Sequence, residues 1–286
     1  SLASVVVQIS LNTQVSKDAD WTWSFTTNFG KQTSEITFVR GGAVVVVLSA
    51  AGSSGYVLRG GEKIGQLYGF MGIHSLDATL PDGSVAIPEG SRSLYEVASN
   101  GWVVKKSTKA PYFSSKMYSF VDPNPDFNMS FINELTYKGY LTFNLQIDWL
   151  QGSHLYNQTK EWMYRDGIHS DYQQPITING ETAAWSAFYR GVYAEVSRNG
   201  TKNYFYEDAS FARLRNLSVG VDLVKAFGIK GFRKLQLVAS GRNLVTLTKY
   251  TGMDPEISSG GNNSAWDRGV DHNTMPNTRT YQVQLN

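Results

Sequence analysis

The side chains that could carry chemistry are sparse in this sequence, and they do not combine into a reactive site. The four histidines are scattered, with none at a metal-ligand spacing such as HxxxH; they are His74, His154, His169 and His272. We expect polar roles in loops for them rather than metal ligation. The absence of cysteine excludes disulfides, thiolate catalysis and Cys-based metal sites.

A group of carboxylates near the C-terminus could offer oxygen ligands to a cation. It consists of Asp254, Glu256, Asp267 and Asp271. Solvation at the surface is the expected role of these four, and also of Glu207 and Asp208 at the start of a strand. No nucleophile elbow, phosphate-binding loop, dinucleotide fingerprint or Ser/His/Asp arrangement is present. The sequence therefore predicts no catalytic residue, no metal and no cofactor, and a protein that is not an enzyme.

Aromatic side chains in the long polar stretches are the better candidates for binding. They are Tyr156, Trp162, Tyr164, Tyr172, Trp185, Tyr204 and Trp266. An aromatic face beside polar groups suits a sugar ring or a peptide side chain, which makes substrate binding the hypothesis for these seven. The alternative is that they pack a loop that must hold its own shape, or meet a partner protein.

The elements that position these residues are strands, because the dominant period of the sequence is two. The clearest case is a hairpin over 128–150 that turns at Lys138-Gly139. Its second strand places apolar side chains on one face; they are Leu141, Phe143, Leu145, Ile147 and Trp149. Thr142, Asn144, Gln146 and Asp148 occupy the other face.

The same alternation recurs over most of the chain. It predicts strands over 5–12, 21–29, 217–223, 235–240 and 281–286, and the valine run within 43–51 also favours a strand. No segment has a sustained amphipathic helical period or enough apolar residues for a transmembrane helix. The predicted fold class is all-β, with antiparallel strands.

Several features favour a membrane β-barrel over a soluble sandwich, which also alternates. The apolar face from Leu141 to Trp149 is about 30 Å long, which approaches the apolar band of a membrane barrel once tilted. Aromatic residues gather near strand ends, and short turns alternate with long polar loops at 151–204 and 250–276. Charged residues are only 17% of the chain and aromatic residues 13%. The net charge of +2 gives no argument for nucleic acid.

Five segments together resemble the SusC/RagA family of TonB-dependent outer-membrane transporters. They are Gly65–Phe70 (GQLYGF), Asn124–Phe127 (NPDF) with the hairpin that follows, Glu207–Gly220 (EDASFARLRNLSVG), Ser240–Leu244 (SGRNL) with Thr248–Glu256 (TKYTGMDPE), and Pro276–Asn286. Each is short, but their order and spacing cover nearly the whole chain. The chain is thus identified as similar to this family.

The resemblance implies a transmembrane antiparallel barrel of about 22 strands, of which residues 1–286 would form the C-terminal portion. The plug domain and TonB box would lie upstream, and a few residues after Asn286 are expected to be missing. The implied function is TonB-dependent import of oligosaccharides or peptides across the bacterial outer membrane, with a SusD-like surface lipoprotein as partner. Leu141, Phe143, Leu145, Ile147 and Trp149 would then face outer-membrane lipid.

Two further points complete the expectations. Family members often have an Asp/Gly-rich stretch before the NPDF-like motif, whereas Lys109–Asp122 has no such cluster, so we expect no calcium there. The alternative to a transporter is a soluble all-β carbohydrate-binding or adhesin module, which would have to bury the Leu141–Trp149 face in its own core.

Overall fold

Strands dominate the computed structural model, which describes residues 2–17, 20–42, 45–48, 55–194, 201–257 and 269–286. The described strands are β1 (Leu2–Lys17), β2 (Trp21–Ile36), β3 (Val45–Leu48), β4 (Gly55–Leu58), β5 (Leu67–Gly72), β6 (Tyr95–Val97), β7 (Val103–Lys105), β8 (Phe113–Val121), β9 (Phe127–Tyr137), β10 (Leu141–Gln151), β11 (His154–Asn157), β12 (Ile176–Ile178), β13 (Glu181–Ala183), β14 (Thr201–Lys202), β15 (Tyr206–Asp208), β16 (Phe211–Asp222), β17 (Gln236–Thr248), β18 (Val270–Asp271) and β19 (Thr280–Leu285). The described α-helices are α1 (Gln158–Asp166), α2 (Ser186–Ala194) and α3 (Leu223–Phe227). The all-β prediction is confirmed.

Seven of these strands form one antiparallel sheet in the order β1-β2-β9-β10-β16-β17-β19. The predicted hairpin is present, with Tyr137 opposite Leu141 and Phe127 opposite Gln151. Lys138 and Gly139 connect its strands with φ of 47° and 66°. Two consecutive positive φ values in this three-residue connection match the twist of antiparallel strands, and glycine adopts them without strain.

The register of the sheet separates apolar from polar side chains, as two rows of paired positions across six of the seven strands show. One row of paired positions runs through Trp23, Leu135, Phe143, Val219, Ala239 and Val283. The adjacent row, on the opposite face, runs through Ser24, Glu134, Asn144, Ser218, Ser240 and Gln282. The sheet therefore has one apolar and one polar face.

No second layer of described residues covers the apolar face. Val5 is 65% exposed and Val283 is 74% exposed. The three clusters of buried apolar residues draw no member from the seven-stranded sheet. A soluble module would bury this face, and the structure leaves it open.

Aromatic rings border the apolar face at both ends. At the end with tight turns, the Trp21 and Tyr137 ring centroids lie 4.4 Å apart and those of Tyr137 and Tyr140 lie 5.8 Å apart. At the other end, the Phe127 ring lies 4.9 Å from Trp149. The distance from Phe127 to Tyr137 along β9 is about 33 Å, or about 25 Å in height at a barrel-like tilt. Two aromatic borders at this separation match the interfaces of an outer membrane.

The connections between the strands of the sheet differ sharply at its two ends. At the turn end they span 18–20, 138–140 and 223–235. The last of these is the longest of the three and includes α3. At the opposite end they span 37–126, 152–210 and 249–279, and we call these three segments, as far as the structure describes them, the loop assembly.

The loop assembly has its own core. Trp102 and Phe113 from the first segment, Tyr164 and Phe188 from the second, and Val270 from the third belong to one buried cluster. The helices α1 and α2 in the second segment are not predicted by the sequence analysis. With nine residues each they are too short to display a repeating apolar period, and tertiary packing stabilises them. Of the helices in the described part of the chain, none has both the length and the apolar character to cross a membrane.

Spin labels provide a test of the two faces, because this chain has no cysteine of its own and any cysteine elsewhere in the full-length protein can be replaced by serine. Single cysteines at Phe143 and Leu145 should give labels that are accessible to oxygen dissolved in lipid. Labels at Thr142 and Asn144 should instead be accessible to a water-soluble nickel chelate or be shielded by protein. The measurement is power-saturation EPR on the full-length protein in lipid vesicles. Equal oxygen accessibility at all four positions would contradict the assignment of faces.

Candidate functional site

The most concentrated group of charges in the sheet lies on its polar face, next to the loop assembly. Arg213 on β16 donates from Nη2 to Asp254 Oδ1 at 2.5 Å and from Nη1 to Glu256 Oε2 at 2.6 Å. Arg215 donates to Glu256 Oε1 at 2.8 Å and to Asp148 Oδ2 on β10 at 2.7 Å. We call these five residues the arginine clasp. It holds the segment after β17 against the sheet.

The inner ion pair of the clasp, between Arg213 and Asp254, is buried. The side chains of Arg213 and Asp254 are 2% and 4% exposed. Burial alone would raise the pKa of the Asp254 carboxyl, but hydrogen bonds from Arg213 and from the backbone amides of Glu256 and Asn277 outweigh it and hold the pKa below its usual value. Asp254 is therefore charged at neutral pH, and the clasp is a network of ion pairs.

A β-bulge places one more side chain in this network. The pairing of β16 with β17 shifts between Leu214 and Asn216, and Asn243 in the bulge has φ of 53°. Asparagine tolerates this left-handed conformation better than most residues. Its side chain accepts a hydrogen bond from Arg215 at 3.0 Å and donates one to the carbonyl of Thr278 at 3.0 Å. The SGRNL segment thus connects the clasp to the chain entering β19.

The NPDF segment forms a second junction on the polar face. Asn124 donates to the carbonyl of Ile64 at 3.1 Å and to Asp122 at 3.0 Å. The Asp126 amide donates to Gln151 O at 2.8 Å, and a Cβ on Gly152 (φ 82°) would lie 2.2 Å from the Asp126 carboxylate. Glycine is therefore required at this close approach. The junction borders an open cavity of about 420 Å³, whose lining includes Ser4, Ser34 and Lys63.

The start of the EDASFARLRN segment joins the second and third segments of the loop assembly. Glu207 accepts hydrogen bonds from the Thr251 amide at 2.8 Å and from Lys160 at 3.3 Å. Tyr250, which is nearly buried, donates to Asp271 at 2.6 Å. Burial raises the pKa of Tyr250 well above its usual value, and Asp271 adds to the shift. Three of the five segments that carry the family resemblance thus form junctions, either between the sheet and the loops or between two loops.

Surface solvation, the role expected for the carboxylates, is wrong for several of them. Asp254 and Asp271 are buried, and the Glu207 side chain is only 11% exposed. Each has specific donors, because a buried carboxylate is tolerated only when hydrogen-bonded or paired. Asp267 lies outside the described residues. Within the described residues, no three His, Cys, Asp or Glu side chains gather in an arrangement that could hold a metal ion.

Six of the seven aromatic candidates lie in the described loop assembly, and five of them meet in its largest buried cluster. Tyr156 and Tyr164 have no exposed surface, while Tyr172, Trp185 and Tyr204 pack against the cluster. Trp162 lies apart, with its ring 4.7 Å from that of His272. Trp266 lies outside the described residues. Substrate contact stays a prediction for all seven, and for Tyr156 and Tyr164 it would require the cluster to open.

A hydrogen-bond network runs through this aromatic cluster. The Tyr164 hydroxyl bonds to Asp171, and its distance to the Tyr204 hydroxyl is 2.5 Å. Burial raises the pKa of Tyr164 far above its usual value, and it raises that of Tyr204 too. The histidines take polar roles nearby: His169 Nδ1 accepts from the Asp171 amide, and His154 Nδ1 lies 3.3 Å from the carbonyl of Asp122.

Sequence reasoning did not single out Arg213 and Arg215 as functional residues. A signal was present, because the two arginines are separated by one residue within a strand and so share its polar face. An arginine that a folded loop buries against the sheet requires a partner such as a carboxylate. The partners themselves, Asp148 and Glu256, are remote in the sequence, so the pairing emerges only in the fold.

Comparison with curated proteins finds relatives over nearly the whole chain, although no family model matches. The chain is 29% identical over 98% of its length to TonB-dependent receptor P3 of Formosa agariphila and covers 28% of it. It is 22% identical over its full length to TonB-dependent receptor SusC of Bacteroides thetaiotaomicron, of which it covers 26%. The resemblance to the SusC/RagA family is confirmed. The chain spans less than a third of the length of these relatives.

Solved structures agree with the SusC/RagA resemblance at the level of the fold. The chain superimposes on the RagAB peptide transporter with a TM-score of 0.64 over 99% of its length, covering 29% of that chain at 19% identity. For the RagAB peptide importer in its open-open state the TM-score is 0.60 at 17% identity. The fold is therefore that of a portion of a SusC/RagA-type barrel together with its long loops.

Loss of one clasp arginine should strongly destabilise the segment after β17. Arg213→Ala leaves the buried Asp254 carboxylate without its cation, a change that costs about 3–5 kcal/mol in comparable buried pairs. The control is Arg242→Ala, which removes the same charge from an exposed position on β17. The measurement is the rate of proteolysis within residues 249–279 of the full-length protein. Equal rates in both variants would show that the clasp does not hold this segment.

Alkaline pH should unfold the loop assembly. A phenol whose pKa is raised on folding contributes stability that is present below pH ~10 and is lost as the pH rises above it. Tyr156, Tyr164, Tyr204 and Tyr250 all have raised pKa values. Phenolate absorbance at 295 nm should show these four ionising together with loss of the near-UV circular dichroism. In Tyr164→Phe, one tyrosine fewer should ionise as the near-UV signal is lost. Ionisation of all tyrosines before that signal is lost would contradict the burial of these four side chains.

Proposed function

We propose that this chain forms part of the barrel wall of a TonB-dependent importer in the bacterial outer membrane. The observation that carries the proposal is the uncovered apolar face with an aromatic border at each end. Hydrocarbon is the environment in which such a face is stable, and the names of the relatives agree with this placement. Leu141, Phe143, Leu145, Ile147 and Trp149 are the proposed lipid contacts.

The edges of the sheet support its place within a larger barrel. Among the described strands, β1 and β19 each have a single neighbour in the sheet. Unpaired backbone N–H and C=O groups are too costly in hydrocarbon, so strands that span a membrane must belong to a closed barrel. We therefore assign residues 1–286 to the barrel wall and its loops. The plug and TonB box belong to the rest of the protein.

The polar face would line the passage on the inside of this barrel. Ser130, Asn144, Ser218 and Asp148 on this face form cross-strand hydrogen bonds at 2.7 to 3.1 Å and offer a hydrated surface to a polar cargo. In this orientation the tight turns face the periplasm and the loop assembly faces outward. The proposed cargo is an oligosaccharide or a peptide.

The loop assembly would be the platform for the partner and the cargo. Its buried core and the arginine clasp make it a folded body rather than a set of flexible loops. A SusD-like surface lipoprotein is the proposed partner, which the similarity to a SusC protein and to the RagAB peptide transporter supports. The aromatic residues Trp162, Tyr172, Trp185 and Tyr204 retain some exposure and are the better placed of the candidates to meet cargo.

Uptake measurements in the native host test the proposal. Deletion of the parent gene should abolish growth on one class of oligosaccharide or peptide as sole nutrient, and the intact gene should restore it. A version that lacks the TonB box should reach the membrane but fail to restore uptake. A tagged version should co-purify the lipoprotein. Wild-type uptake without the TonB box would refute TonB dependence, since no energy could then reach the barrel from the inner membrane.

A further inference from the structure

One connection at the turn end differs from the other two. Residues 223–235, between β16 and β17, contain two largely exposed phenylalanines, Phe227 at 74% and Phe232 at 58% exposure. Four cations lie among them; they are Lys225, Lys230, Arg233 and Lys234. We call residues 223–235 the basic turn. It combines exposed apolar rings with positive charge in a segment of thirteen residues.

The basic turn begins with a capped helix. Asp222 Oδ1 accepts from the amides of Val224 and Lys225 at 3.1 and 3.2 Å and so starts α3. Gly228 ends the helix with φ of 65°. The exposure of Phe227 therefore belongs to a defined local structure.

The basic turn also lies against the aromatic border of the apolar face. The Asp222 amide donates to the carbonyl of Tyr140 at 2.8 Å, and Lys225 Nζ donates to the carbonyl of Gly139 at 3.2 Å. Tyr140 in turn packs on Tyr137. The start of the basic turn thus lies beside the aromatic border of the proposed lipid-contacting surface.

Its positive charge is not neutralised by the neighbouring side chains that the structure describes. Lys230, Arg233 and Lys234 are exposed, and the described part of the chain places no carboxylate within 4.0 Å of them. The nearby acids have other partners: Asp20 pairs with Lys138 at 3.6 Å, and the Asp222 carboxylate caps α3. In the loop assembly, by contrast, many cations have acidic partners, such as Lys160 with Glu207.

Exposed aromatic rings interleaved with unneutralised cations are the composition of segments that lie in a membrane interface. The rings enter the boundary between headgroups and acyl chains, and the cations meet headgroup phosphates. We propose that the basic turn docks onto the periplasmic leaflet of the outer membrane and selects anionic phospholipids. Phe227 and Phe232 insert, and Lys230, Arg233 and Lys234 bind the headgroups. This inference rests on the proposed function, which places the turn end at that leaflet.

Lipid selectivity of the full-length protein tests the inference. The protein is placed in nanodiscs of mixed phosphatidylglycerol and phosphatidylcholine, and the lipids retained after mild detergent extraction are counted by native mass spectrometry. The intact protein should retain phosphatidylglycerol preferentially. In the variant K230Q/R233Q/K234Q, the ratio of retained phosphatidylglycerol to phosphatidylcholine should fall about fivefold for each cation removed. The control R40Q/K105Q/K249Q removes three exposed cations from the loop assembly and should keep the preference.

Insertion of the rings is tested separately with an environment-sensitive fluorophore on a single cysteine at Ala226. Its emission should be blue-shifted in vesicles, and F227S/F232S should shift it back towards the value in water. Heat-modifiable migration on gels checks that each variant forms a folded barrel. Unchanged lipid selectivity in the triple variant, or a fluorophore in water in the intact protein, would overturn the inference. Cross-linking of the basic turn to a soluble periplasmic protein would overturn it in favour of that partner.

A second label position separates this inference from the proposal beneath it. A fluorophore at Leu145 reports whether the apolar face contacts lipid at all. If the label at Leu145 contacts lipid while the label at Ala226 is in water, the importer proposal is retained and the docking of the basic turn is refuted. A label in water at Leu145 would mean that the membrane placement itself has failed.

Discussion

Strand register is the constraint on which the rest of this structure depends. Six pairings bring seven strands together so that apolar side chains predominate on one face and polar ones on the other, with Asn133 and Ile132 among the exceptions. Because side chains alternate with a period of two, a slip of one residue in any pairing would exchange the faces of every strand beyond it. The tight turn at Lys138-Gly139 leaves little freedom for such a slip in the central hairpin. At the other end of the sheet, the bulge at Asn243 sets the offset between β16 and β17.

The features that the sequence predicts well are those set by local pattern. The hairpin over 128–150, the faces of its strands and the positive-φ turn follow from alternation and from one glycine, and all are present. The loop assembly could not be predicted in this way. Its helices are too short to show a period, and its core joins residues from three segments that are far apart in the chain. Non-local packing of this kind has no signature in any one stretch of sequence.

The charged and aromatic side chains show the same limit at the level of single residues. From the sequence, Asp254 is expected to be a solvated surface carboxylate. In the structure it is buried, and it pairs with Arg213, which lies some forty residues earlier on the polar face of the sheet. Tyr164 reads as a ring free to meet a sugar, yet the cluster around it leaves no exposed surface. In both cases the residue type shows which interactions the side chain can form, but only the fold determines which partner it has. Three of the segments that resemble the family contain residues that bond loops to the sheet or to each other.

The uncovered apolar face has a consequence for how such a sheet must be made. In water, an apolar surface that spans several strands and that no described residue covers would associate with any other apolar surface. The polypeptide therefore has to be held by a chaperone, or delivered directly to lipid, before these strands assemble.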